Sequence, residues 1–152
     1  MTQKIIFSWQ NILKHCQIIT KKIKIPPDLI IAITKGGLPI AAVLANKHLN
    51  NPPIITLQLK EIQTQGKAGY KAKKVKLISP LNIYPIKGKR VLIVDDVADS
   101  GNTLKKAIKI VKTQNPQSLT TTCLHYKPRT HTIPDIFAKK IDNHLWIVYP
   151  WE

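Results

Sequence analysis

Apolar residues recur along this chain with two different periods. Trp9, Ile12, Leu13, Cys16, Ile19 and Ile23 follow helical spacing, which predicts an amphipathic helix. Ser8 stands where it can cap that helix, and Pro26-Pro27 ends it. Residues 29–33 are continuously apolar, the pattern of a strand buried on both faces. A loop at 34–37 and a helix over 38–47 follow, then Asn51-Pro52-Pro53 and a strand over 54–59. Residues 60–76 are polar, rich in Lys and weak in core signal, which predicts a mobile, solvated loop. Residues 83–88 lead into a short β-branched strand at 91–94. Leu104, Ala107, Ile108 and Val111 then line one helix face. Another strand over 119–126, a segment over 135–141 and a compact aromatic end over 144–152 complete the pattern.

Strands that alternate with helices predict an α/β fold with a central, mostly parallel sheet flanked by helices. The chain has 152 residues, 43% of them hydrophobic, enough for a single domain over 1–152 with a sizeable core. It shows no internal repeat and no linker. No apolar run is long enough to cross a bilayer. The first residues lack the apolar stretch of a secretory signal. Cys16 and Cys123 sit in apolar patterns without metal-ligand spacing, so both read as reduced, buried thiols. These features together predict a cytoplasmic protein with no membrane association.

Formal charge changes the picture less than its size suggests. The chain carries +16, and 22 of its 24 basic residues are Lys. Ile and Asn are also abundant, so an AT-rich coding sequence accounts for much of the excess. Nucleic-acid binding is the functional alternative, and the spread of the Lys residues gives it little support. A polyanionic substrate would still gain from a positive field at the mouth of its site.

Against that background the acids are concentrated. Three of the eight, Asp95, Asp96 and Asp99, fall within five positions of the stretch VLIVDDVADSGNTL, residues 91–104. An apolar strand runs into the acids, and Ser100-Gly101-Asn102-Thr103 leads into the helix. In open parallel sheets, ligands bind outside the carboxyl ends of strands. Successive backbone N–H groups and hydroxyls at a helix N-terminus suit a phosphate. The neighbouring carboxylates suit ribose hydroxyls or hydrated Mg²⁺. A second strand-to-helix loop, Thr34-Lys35-Gly36-Gly37, offers close backbone approach at paired glycines and a point charge at Lys35. Both loops should open on the same edge of the sheet.

The stretch VLIVDDVADSGNTL resembles the motif with which type I phosphoribosyltransferases bind 5-phosphoribosyl 1-pyrophosphate (PRPP). The loop Lys35-Gly36-Gly37 resembles the pyrophosphate loop of the same family. The ending Tyr149-Pro150-Trp151-Glu152 resembles that of small bacterial xanthine-guanine enzymes. The resemblance implies a Rossmann-like fold with a flexible catalytic loop over residues 60–76 and a small carboxyl-terminal hood. It implies a non-proline cis peptide at Lys35–Gly36. It also implies that Asp95, Asp96, Ser100, Gly101, Asn102, Thr103, Lys35, Gly36 and Gly37 bind PRPP. Asp96 would be the contact to the Mg²⁺ cofactor, directly or through water.

For the acceptor, Lys127 and Trp146 with Ile147 match positions that bind a 6-oxopurine in the family: a cation for O6, a ring for stacking and backbone groups for the base edge. Asp99 matches the carboxylate that deprotonates or orients the base. Glu152 stands where relatives carry Asp. The expected activity is transfer of the phosphoribosyl group to guanine, xanthine or hypoxanthine in purine salvage, by a homodimer or homotetramer. The alternatives are a nucleic-acid-binding regulator of the same fold, with PRPP or a nucleotide as effector, and an enzyme for another base.

Overall fold

The computed structural model describes residues 3–65, 71–79 and 85–152. Its first elements are β1 (Lys4–Ile6) and α1 (Trp9–Lys22). Ser8 caps α1 through a capping box in which Ser8 and Asn11 exchange side-chain and backbone hydrogen bonds. Ile12, Cys16 and Ile19 form the buried stripe of α1. Trp9, expected on the same face, is instead half exposed and meets Trp151 of the carboxyl-terminal segment.

The central sheet is built from β2 (Leu29–Thr34), β3 (Ile54–Gln65), β4 (Lys71–Leu77), β5 (Arg90–Ala98), β6 (Ser118–Tyr126) and β7 (Ile136–Lys140). Its order is β4-β3-β2-β5-β6-β7, and every pairing is parallel except β3 with β4. α2 (Gly37–His48) connects β2 to β3, and α3 (Asn102–Lys112) connects β5 to β6. The strand pattern explains the two cores. On β2, Ile30 and Ala32 face the cluster that α1 and α2 close, while Leu29, Ile31 and Ile33 face the cluster closed by α3. β8 (Trp146–Val148) pairs in parallel with β1, away from the central sheet. The bidentate pair of Arg90 with Asp28 ties the start of β5 to the start of β2.

Two expectations need correction. Residues 60–65 and 71–76 continue as an antiparallel hairpin, not as a solvated loop, with Lys60 paired to Lys76 and Gln65 to Lys71. Leu59 and Leu77 pack on the core. Beyond them the backbone ladder continues while Lys60, Glu61, Gln63, Lys74 and Lys76 are exposed, so the hydrophobic signal weakens while the strand persists. The tip of the stretch, residues 66–70, lies outside the described residues, as do residues 80–84 of the segment leading to β5. The second correction concerns Asp95 and Asp96, which belong to β5 itself: the ladder to β6 extends through Asp95–Cys123 to Ala98–Tyr126.

Candidate active site

The connection from β2 through α2 moves to one side of the sheet, and the connection from β5 through α3 moves to the other. β2 and β5 are neighbours, so their carboxyl ends flank the topological switch point where such sheets bind ligands. The two loops touch. A Cβ on Gly36 would overlap the Asp96 carboxylate, and one on Gly37 would overlap the Val94 carbonyl oxygen. Only glycine permits this approach. The cis peptide in the first loop is Thr34–Lys35, one bond earlier than the resemblance implied.

At the end of β5, Asp95 is buried and its Oδ1 accepts the Asp96 amide at 2.9 Å. Asp96 Oδ1 accepts the Val97 amide at 2.6 Å. Burial, reinforced by the charge of Asp96, pushes the Asp95 carboxyl well above the usual range. Burial is also the main cause that raises Asp96 to about 6. Two carboxylates this close and this dry call for a cation or for hydroxyl donors.

The loop after β5 is folded by its neighbours. Gly101, the N-cap of α3, has φ +83°, and a Cβ there would lie 2.5 Å from Thr130 Oγ1 and 2.6 Å from the Thr132 amide. His131 donates its amide to the Ser100 carbonyl at 2.9 Å. Residues 130–132 therefore brace the predicted phosphate loop from behind. A cavity of about 300 Å³ opens there, lined by Asp99, Ser100, Gly101, Thr103, Arg129 and the hairpin residue Glu61, among others. Asn102 is the first residue of α3, and its amide donates to Ser100 Oγ at 3.3 Å.

A smaller cavity of about 140 Å³ adjoins it, lined by Asp96, Val97, Asp99, Lys127, Trp146, Ile147, Tyr149 and Glu152. Lys127 is buried, donates its amide to the Ala98 carbonyl, and holds its Nζ 3.5 Å from Asp99 Oδ2. Trp146 exposes 56% of its surface above this cavity, while Ile147 is buried. The structure thus gathers Asp96, Asp99, Lys127, Trp146 and Ile147 around one space. Asp95 lines neither cavity. A third cavity, of about 290 Å³, lies at the opposite end of the sheet around Arg90 and Ser118 and contains none of these acids.

Arg129 was not among the residues singled out from the sequence. Its guanidinium forms a fork on Asp99, with Nε to Oδ1 at 2.5 Å and a terminal nitrogen to Oδ2 at 2.6 Å. Burial works against ionisation of Asp99, but Arg129 and Lys127 together outweigh it and hold the carboxyl below its ordinary value. One signal was available: Arg129 is one of only two Arg among 24 basic residues, and Arg suits a bidentate carboxylate pair where Lys does not.

The Phosphoribosyl transferase domain family matches residues 2–152. The chain belongs to that family. It is 32% identical over 124 residues to a xanthine-guanine phosphoribosyltransferase from Ruegeria sp. (strain TM1040), covering 81% of this chain and 67% of that protein. Among solved structures, it superposes on a purine phosphoribosyltransferase from Pyrococcus horikoshii with a TM-score of 0.85 at 31% identity, covering 100% of this chain and 95% of the other. A hypothetical protein from Neisseria gonorrhoeae with bound ppGpp gives a TM-score of 0.87 at 26% identity, covering 100% and 90%. The mostly parallel sheet with flanking helices is the fold of the type I phosphoribosyltransferases.

Proposed function

We propose that this phosphoribosyltransferase moves the 5-phosphoribosyl group of PRPP onto guanine, xanthine or hypoxanthine. The carrying observation is that Asp99 lines both the phosphate-loop cavity and the smaller aromatic cavity. A group at that shared wall reaches the reacting nitrogen of a base on one side and the sugar on the other. The C1–oxygen bond to pyrophosphate breaks, the C1–nitrogen bond to the purine forms, and the purine N–H proton passes to the Asp99 carboxylate or to a water that it orients.

In this reading the 5′-phosphate sits on the amides of residues 100–103, at the N-terminus of α3. Lys35 and the amides of Gly36 and Gly37 hold the leaving pyrophosphate. Asp99, kept ionised by Arg129 and Lys127, receives the hydrogen bond of the purine N–H as charge develops. Lys127 Nζ offers a donor to O6, and Trp146 a stacking face.

The residues present fit Mg²⁺. Asp96 Oδ2 abuts Gly36 where a Cβ would fill the space, while Oδ1 is committed to the Val97 amide. Among the described residues no cluster of three or more His, Cys, Asp or Glu exists that could hold a metal alone. Mg²⁺ bound by one or two carboxylates and substrate oxygens needs no such cluster. When bound it supplies positive charge to the departing pyrophosphate.

Among the described residues no helix is long and apolar enough to cross a membrane, and the proposed setting is the cytoplasm. The proposed assembly is a homodimer or homotetramer, which light scattering resolves. Turnover of guanine, xanthine and hypoxanthine with PRPP and Mg²⁺ tests the activity. Activity on none of them, or only on adenine, orotate or uracil, overturns the assignment.

A further inference from the structure

Behind Asp96, three polar side chains run in an unbroken line through the apolar core. Tyr149 donates its hydroxyl to the Asp96 backbone carbonyl at 3.2 Å. His125 Nδ1 lies 2.8 Å from the same phenolic oxygen. His125 Nε2 lies 3.1 Å from Nδ1 of His15 on α1. His125 is completely buried, Tyr149 nearly so, and His15 half-buried. Phe7 stacks on the His125 ring at 4.4 Å and meets the His15 ring edge-on at 5.4 Å, so both rings are held in place.

Donor and acceptor capacities give this line a direction. A carbonyl oxygen only accepts, so the single phenolic proton is committed to Asp96. The Tyr149 oxygen then accepts from His125, which places the His125 proton on Nδ1. A neutral imidazole has one N–H, so His125 Nε2 is bare and accepts from His15 Nδ1–H. Every link donates toward Asp96. Burial first, then the charges of His15 and Lys139, lower the His125 pKa to about 3 and keep its ring neutral. Burial and Lys139 lower that of His15 in the same direction.

The line ties together two parts that share no backbone ladder. Among the described residues β8 pairs with β1 and with no strand of the central sheet, so side chains set its distance from β5. Tyr149 follows β8, stacks on Trp151 at 4.7 Å, and lines the smaller cavity beside Asp96. We propose that His15 and His125 are positioning residues that orient the Tyr149 hydroxyl and thereby set the carboxyl-terminal wall of the base cavity against the end of β5. Neither histidine lines that cavity. Their effect passes through Tyr149, which lines the acceptor cavity and holds the Asp96 backbone carbonyl. This rests on the base cavity assigned above, whereas the hydrogen-bond line itself is measurable without turnover.

The test uses the full chain, labelled with ¹⁵N. Long-range ¹⁵N–¹H correlation of the imidazoles near neutral pH should show both His15 and His125 as neutral Nδ1–H tautomers. An Nε2–H proton on His125 overturns the proposal, whatever the enzyme turns over. In kinetics, Tyr149→Phe and His15→Leu should each raise the KM for the purine about threefold to tenfold, the loss expected for one neutral hydrogen bond. In His15→Leu, kcat and the KM for PRPP should stay within about twofold. His15→Asn, which keeps a donor near the Nδ1 position, should restore the purine KM. Equal losses in His15→Leu and His15→Asn would reduce His15 to a packing role, and an unchanged purine KM in Tyr149→Phe would remove the line from function. If the wild-type protein turns over none of the three purines, the tautomers still decide the line, and only the substrate reading falls.

Discussion

Adding one methyl group to each glycine of the Gly36-Gly37 pair should damage the protein in two different ways. Gly36 has φ −60° and ψ −35°, a helical conformation that alanine adopts freely, so Gly36→Ala introduces no backbone strain. Its new Cβ would overlap Oδ2 and Cγ of Asp96, a side chain that can move. Normal separation between such atoms is about 3.5 Å, so the carboxylate must retreat by about 1 Å or more. Stability should fall by less than about 1 kcal/mol, because a half-buried side chain yields more cheaply than backbone. If Asp96 binds ribose and metal as proposed, a shift of that size should lower kcat/KM for PRPP by about 100-fold.

Gly37→Ala is the opposite case. Its Cβ would overlap the Val94 carbonyl oxygen and lie 3.0 Å from the Val94 carbonyl carbon. Val94 is fully buried in β5 and paired with Ala32 of β2, so nothing there can swing away. Overpacking of this kind costs about 2–3 kcal/mol, a Tm loss of about 5–10 °C for a domain of this size. Circular dichroism melts and initial rates over a PRPP series measure both variants. If Gly36→Ala retains kcat/KM within about threefold, Asp96 does not serve PRPP from this loop crevice. If Gly37→Ala leaves Tm unchanged, the loops do not approach as described.

Asp99→Asn should lower kcat by about 100-fold with little change in PRPP affinity; a wild-type rate removes Asp99 from the chemistry. Arg129→Gln should move the acid limb of the kcat/KM profile for the purine to higher pH, because Arg129 helps to hold the Asp99 carboxyl low; an unmoved limb assigns that ionisation to another group. Thr122 Oγ1 is buried without a hydrogen-bond partner among the described residues, so Thr122→Val should stabilise the fold by about 1 kcal/mol, read as a rise in Tm. His125 titrates at about 3 when folded, against 6.5 in the unfolded chain. The unfolded state therefore binds the extra proton first: the contribution of neutral His125 is intact above pH 6.5, shrinks as pH falls, and is gone near 3. Chemical denaturation of His125→Phe across that range should show a flatter acid limb, and an identical pH dependence would contradict the assignment.

How much of this was legible beforehand varied with the distance over which residues interact. The capped α1, the unbroken apolar run of β2, and the acids entering α3 announce themselves through neighbours a few residues apart. The hairpin did not, because β3 and β4 hold together beyond Leu59 and Leu77 by backbone hydrogen bonds, which leave no side-chain pattern. β1 was missed for a related reason: three residues carry no period, and the strand exists only because β8 arrives beside it.

By itself the sequence determined the alternation of strands and helices, and it placed acids, small polar residues and paired glycines at two strand ends. Those are local choices, made by side-chain size, branching and hydrogen-bonding capacity within a few positions. Tertiary structure alone decided that β2 lies beside β5, so that Gly36 fits under Asp96. It alone folded residues 127–132 against the loop after β5, so that Arg129 and Lys127 share Asp99. It alone drew Tyr149, His125 and His15 into one line from positions up to 134 residues apart (149 − 15). Such partners are selected by burial: a polar group removed from water must be met by whatever the fold brings within about 3 Å, and no local pattern along the chain records which residue that is.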